Sequence, residues 1–152
     1  MTPSHCPACG APQHDGGTCD DYFHQMLYWE AENPANGVVH HLLVLCYHLQ
    51  HPHLYSREGL AEGLRLLVAF VDENLPPSEI RRRSRDRVDS GKRTWNIKAT
   101  AESVGAYRHP VTWTMTAAHV VAAGEPNYCA SVRAWARAAR DALQASGNLD
   151  AK

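Results

Sequence analysis

Three cysteines lie in or beside a stretch that can build neither a helix nor a strand, and they constrain this chain more than any other feature. Residues 1–18 carry Pro3, Pro7, Gly10, Pro12, Gly16 and Gly17, a composition of turns. Within them Cys6-Pro7-Ala8-Cys9-Gly10 sets two thiols across one tight turn, and Cys19 follows where the turns stop. A CxxC turn closed by Gly aims backbone N–H groups at two thiolates, an arrangement that tetrahedral zinc uses. A thioredoxin-like redox pair needs a strand before its first cysteine, and nothing ahead of Cys6 supplies one. A disulfide framework needs an oxidising compartment. The opening MTPSHCPACG has no charged region followed by an apolar run, so a cytoplasmic location is expected instead. An iron–sulfur cluster usually takes four cysteines. The expected cofactor is therefore Zn2+, with Cys6, Cys9 and Cys19 as ligands. Cys19 is helped by a helix N-terminus, whose dipole favours a thiolate. Cys46 and Cys129 fall on apolar helical patterns and read as small buried hydrophobes.

The remainder reads as one all-α domain over residues 1–152, a helical body stapled by the cysteine-bearing loop 1–18. At 152 residues and 44% apolar composition it is long enough to bury a core. No apolar run approaches the ~20 residues that cross a bilayer, so no membrane association is expected. Three helices are predicted within 19–75: Cys19 to Glu32, Val38 to about His51, and one that Ser56 caps and Pro76-Pro77 ends. In the third, Leu60, Leu64, Leu67, Val68 and Val71 make one buried face. Residues 78–93 form a charged arm, helical in part. From Thr94 to Thr112 no period is legible, though Thr94–Lys98 could be extended. Within 114–146, Thr116 caps a short helix closed by Gly124, and Asn127 caps a last one closed by Gly147. Val132, Trp135, Ala136, Ala139 and Leu143 are that helix's buried stripe.

The fourth zinc ligand follows from geometry. If the first two helices form an antiparallel hairpin about Pro34, the start of one meets the end of the other. Cys19 then lies near His48 and His51, and Glu30 near His40. His51 is the preferred ligand, with His24 and His48 as alternatives. His24 lies five positions beyond Cys19, about 140° round the helix, which weighs against it. His40 and His51 are eleven residues apart, three turns, and share a face with Val44 and Tyr47. Glu30, His40 and Tyr47 thus mark a second polar site, either an acid–base pair or a hydrogen-bonded lock on the hairpin.

Charge divides the chain. Residues 1–79 hold two basic side chains against ten acidic ones, and residues 80–152 hold thirteen against six. Seven cations lie between Arg81 and Arg93, namely Arg81, Arg82, Arg83, Arg85, Arg87, Lys92 and Arg93. Arg133, Arg137 and Arg140 recur at helical spacing on the last helix. Together they could follow a phosphate backbone, with Trp95 available to stack on a base. The total charge of −1 and a pI near 6.8 favour mutual neutralisation of the halves, by packing or by homo-oligomerisation, over nucleic acid.

CPACGAP, the Cys19…Phe23…Glu30 segment, HHLLVLCYHLQHP and HPVTWTMTAAHVVAAG with VRAWA together resemble an uncharacterised bacterial family of unknown function. That family has a CPxCG start, a further Cys opening a helix, an HxLxVxxYxxQHP helix and a closing VRAWA helix. The pattern falls on Cys6, Cys9, Cys19, His40, Tyr47, Gln50, His51 and Pro52; Leu43 departs from a Thr. The resemblance implies a shared metal site and no particular activity. The reading that combines these signals is a binding or regulatory module, with an unidentified protein partner and a structural Cys3His zinc site. Two alternatives stand beside it: a zinc enzyme using Glu30 and His40 near an open metal position, and a redox switch that expels zinc on oxidation. No phosphate loop, nucleophile elbow or HExxH helix is present, so the balance tilts away from an enzyme.

Overall fold

The computed structural model describes residues 4–13, 17–87 and 96–149, and for 83–87 the backbone alone. Among these residues six α-helices follow one another: α1 (Cys19–Glu32), α2 (His40–Gln50), α3 (Arg57–Val71), α4 (Pro77–Arg87), α5 (Ala117–Ala123) and α6 (Tyr128–Ala145). The described residues contain no strand, only two isolated bridges, so the fold is all-α.

Helices α1 and α3 begin where side chains can hold free N–H groups. Thr18 and Asp21 close a reciprocal cap on α1: the Asp21 N–H donates to Thr18 Oγ1 and the Thr18 N–H to Asp21 Oδ2. Ser56 Oγ accepts from the Gly59 N–H at 2.9 Å and starts α3 as expected. Two boundaries differ from expectation. Pro76-Pro77 does not end α3; that helix stops at Val71, and Asn74, at φ +53°, turns the chain. Pro77 instead opens α4, a position where its missing N–H costs nothing. Nor does Asn127 cap α6, for its amide reaches back to the Ala123 carbonyl at 2.9 Å. A 3-10 turn over Glu125–Asn127 feeds that helix directly.

The centre of the core is α2. Leu42, Leu43, Leu45, Cys46, Leu49 and Gln50 are all buried, as befits a helix that is apolar nearly all round. It packs on α3 and α6, while α1 runs antiparallel beside it with Phe23 stacked on Tyr47 at 4.5 Å. The stripe Val132, Trp135, Ala136, Ala139 and Leu143 of α6 faces inward throughout. Residues 96–116 follow no regular period because backbone contacts to other elements fix them. Ser56 N–H donates to Ile97 O and Gly105 N–H to Tyr55 O. The Tyr107 hydroxyl donates to Leu49 O, and the Asn148 amide to His109 O. Lys98 pairs with Tyr55 in a lone bridge; Thr94 and Trp95 lie outside the described residues.

Gly59 tests this stitching. A Cβ there would overlap the Ile97 carbonyl oxygen. Gly→Ala inside a helix ordinarily helps by about 1 kcal/mol. Here Gly59→Ala is expected to cost about 1–3 kcal/mol through forced displacement of the 96–99 backbone. Urea unfolding measures the sign: a variant as stable as the parent would show that this contact does not hold the segment.

Candidate metal centre

Three segments, the loop 4–13, the start of α1 and the end of α2, converge on one point. The loop 4–13 folds back on itself: the Cys6 N–H donates to Ala11 O and the Gly10 N–H to Cys6 O, both at 2.8 Å. Gly10, at φ +81°, makes the reversal that a side chain would strain. Gln13 Oε1 accepts the Cys19 N–H at 3.2 Å, and the Tyr22 hydroxyl donates to Pro12 O at 2.8 Å, fixing loop to helix.

The other side of the point is the end of α2. Pro52 disfavours helical backbone at His51, which leaves at φ −128°, ψ 64°. The last turn tightens, the His51 N–H taking the His48 carbonyl. That leaves Tyr47 O to accept from His51 Nδ1–H at 2.6 Å. The bond selects the tautomer whose Nε2 lone pair is free, and Nε2 lies 3.6 Å from Cys6 Sγ. Cys9 Sγ and Cys19 Sγ are 3.5 Å apart. All four donor atoms fall within 4.8 Å of one another, and all four residues are buried. Ala11 is fully buried behind them, with Tyr22, Tyr47, Trp113 and Ala118 packed around.

The separations suit a tetrahedral ion. Bonds of ~2.3 Å to sulfur and ~2.0–2.1 Å to nitrogen put sulfurs about 3.8 Å apart and sulfur from nitrogen about 3.6 Å. The charges point the same way. The hydrogen bond shared with Cys19 holds the Cys9 thiol down at about 4, against burial, and His51 and the Ala11 backbone add to it. That shared bond and burial push Cys19 well above the thiol range. Burial works against a charge on His51, but Cys9, the Tyr47 carbonyl and Cys6 together raise it to about 9. Three thiolates cannot ionise side by side here without a cation among them.

The alternative histidines point elsewhere. His24 is exposed and bonded to Asp20 O at 2.7 Å, and His48 Nδ1 takes Val44 O at 2.8 Å while its ring lies on Tyr55. His51 was legible from the hairpin geometry. Gln13 and Trp113 were not, since neither carries a spacing signal.

Glu30 and His40 do meet, with His40 Nδ1 2.6 Å from Glu30 Oε1. Tyr128, missed in the sequence, donates its hydroxyl to Glu30 Oε2. Tyr47 shares that face of α2 but lies near its other end, stacked on His51 at 4.5 Å. It therefore belongs to the thiol cluster's surroundings and not to a site with Glu30. His40 and His51 are separated by eleven residues of rise, about 16 Å, so the pair is not near the cluster as an enzyme of that design would require. Cys46 is fully buried, and Cys129 is half-buried with its Sγ 3.8 Å from Asn36 Oδ1.

Residues 4–144, nearly the whole chain, match a family described as "Family of unknown function (DUF5946)". No curated protein and no solved structure matches the chain.

The metal-free chain should show a definite pH profile. Cys9, depressed below 9.0, gives stability that is full above that value and lost as pH falls toward 4. His51, raised above 6.5, gives stability that is full below 6.5 and lost through about 9. Cys19, raised, costs stability above 9. In chelator, urea midpoints are therefore expected to peak between about pH 6.5 and 9 and to decline on both sides. A monotonic profile across that range would contradict the arrangement.

Proposed function

Since the chain belongs to the DUF5946 family of unknown function, its role must be read from its own residues, and we propose a small zinc-binding module that acts by binding. In this reading Cys6, Cys9, Cys19 and His51 hold one zinc ion in a closed structural site. The observation that carries it is the burial of four converging donors at tetrahedral separations. Four protein donors fill a tetrahedral shell and leave no position for a substrate or water. The soft, sulfur-rich set disfavours magnesium and calcium, which take oxygen. When bound, the ion would supply the positive charge that lets the thiols ionise together, and with it folding energy.

The residues of this chain do the rest. Tyr47 O orients the His51 ring, the Ala11 N–H supports Cys9, and Gln13 fixes the start of α1 against the loop. All five cysteines are free. Thiols of this kind persist in a reducing compartment, which supports a cytoplasmic setting. No helix among the described residues is long and apolar enough to cross a membrane.

Elemental mass spectrometry of the purified protein, beside Cys19→Ser and His51→Ala, tests the reading. One zinc per chain is expected, lost with stability in both variants. Cobalt substitution should give a tetrahedral thiolate spectrum that added anions leave unchanged. A spectrum that shifts with anions would mean an open position, and absence of zinc would remove the reading.

A further inference from the structure

The apolar face that the sequence assigns to α3 is not closed by the fold. Leu60 and Leu67 are buried, but Leu64, Val68 and Val71 are only half-buried. Leu64 and Val68 line a groove of about 1090 Å³ between α3 and α6. The contacts at its two ends set its direction. At the end of α3, Asp72 meets Arg140 of α6. At the start of α3, the Arg57 N–H donates to Ser103 Oγ at 2.9 Å and the Gly105 N–H to Tyr55 O at 2.7 Å. The same segment reaches the end of α6, where the His109 N–H donates to Asn148 Oδ1 at 3.1 Å. The groove therefore follows α3 from Leu60 to Asp72, about 18 Å at 1.5 Å per residue. Ile80 of α4 and Leu149 complete its apolar walls.

Four cations line it, and three are engaged. Arg65 pairs with Glu62, and Arg140 is held bidentately by Asp72 with Asp141 at 3.6 Å. Arg57 donates to Glu102 O at 3.0 Å. Arg108 is exposed and makes no hydrogen bond or ion pair among the described residues. Its place is fixed by its neighbour Tyr107, whose hydroxyl donates to Leu49 O. The acids of the lining are Glu62 and Asp72, both paired, and Glu73, which follows Asp72 at the far end. Glu58 and Glu102 lie near Arg57 but outside the lining, and Glu58 accepts from Ser103 Oγ at 2.9 Å. The uncommitted positive charge is thus at one end of an apolar groove, and the remaining negative charge is at the other.

We propose that this groove binds an aliphatic monocarboxylate, with its chain on Leu64 and Val68 and its carboxylate on Arg108. A guanidinium group presents paired N–H donors that match a carboxylate. Apolar walls with one convergent charged group are the usual form of a small-molecule site. Glu73 would repel a second carboxylate at the far end. A protein partner fits less well, because an interface core needs apolar surface around it. The exposed large apolar residues, Tyr28, Val38, Leu54, Ile97 and Val104, all lie outside the groove. The proposal is independent of the zinc reading, since the groove and the thiol cluster share no lining residue.

Isothermal titration of the full chain, with its metal, against dodecanoate below its micelle concentration tests this. Saturable binding of one molecule per chain is expected. Arg108→Ala should weaken it about tenfold, the worth of a charge-assisted hydrogen bond. Val68→Phe, which fills the groove, should weaken it further. If that variant fails to fold, Arg108→Ala still decides, since it alters an exposed side chain. Dodecyltrimethylammonium has the same chain and the opposite charge, and should bind at least about tenfold more weakly than dodecanoate. The proposal falls if dodecanoate does not bind, if it adsorbs without saturating, if the cation binds equally well, or if Arg108→Ala leaves the affinity unchanged. A dimer in sedimentation that Val68→Phe dissociates would assign the groove to a second copy instead. Metal content of the same samples reports the zinc reading separately.

Discussion

Everything at the front of this molecule depends on four soft donor atoms arriving at one point from three directions. The loop 4–13 has little apolar surface of its own, with Ala11 its fully buried aliphatic residue. Its remaining ties to the helices are hydrogen bonds such as Gln13 to Cys19 and Tyr22 to Pro12. Each is worth about 1 kcal/mol net, far less than ordering ten residues costs. A metal ion linking Cys6 and Cys9 to Cys19 and His51 would instead fasten the loop to the start of α1 and the end of α2 together. The N-terminal segment would then fold as part of the body, and its stability would follow metal supply.

The hairpin of α1 and α2 is what makes this economical. Because the helices are antiparallel, Cys19 and His51 lie at one end and Glu30 and His40 at the other, with Phe23 on Tyr47 between them. The far end is clamped differently. There Tyr128 and His40 both bind the Glu30 carboxylate, joining α1, α2 and α6 through one nearly buried side chain. A carboxylate with two partners tolerates burial that a lone one would not. The same rod is thus pinned by sulfur at one end and by a hydrogen-bonded carboxylate at the other. That geometry explains why Glu30 and His40 act on the fold and stand apart from the thiol cluster.

Much of this was legible because the signals were local. The Ser56 cap, the apolar stripe of α6 and the CxxC turn all act within a few residues of themselves, whereas of the expected α3 face only Leu60 and Leu67 are buried and Leu64, Val68 and Val71 are half-buried. His51 was legible one step further out as the preferred of two candidates, since Pro34 implied a hairpin and the hairpin brought both His48 and His51 to Cys19. Pro76-Pro77 misled because proline ends a helix and begins one equally well, and the Asn74 turn that decided the matter has a weak signature. Gln13, Trp113 and Tyr128 were invisible because each meets its partner through tertiary packing. Residues 96–116 defeated periodicity for a physical reason: their conformation answers to the backbone of Pro52–Gly59, and no face of their own repeats.

On the proposed reading, a site whose donors are all buried acts on the chain that holds it. Any dealings with other molecules must then use groups that the fold leaves uncommitted. Charge supplies the clearest such group. Arg140 lies on the α6 stripe with Arg133 and Arg137, yet its half-buried guanidinium is drawn onto Asp72, fixing α6 to the end of α3. One or two turns earlier, Arg133 and Arg137 are exposed, and neither makes a salt bridge among the described residues. Like charges one turn apart on a helix are mildly destabilising, and the Asp72 contact offsets this at the Arg140 end. The near-zero total charge of the chain does not show this, because it sums acids and arginines wherever they lie.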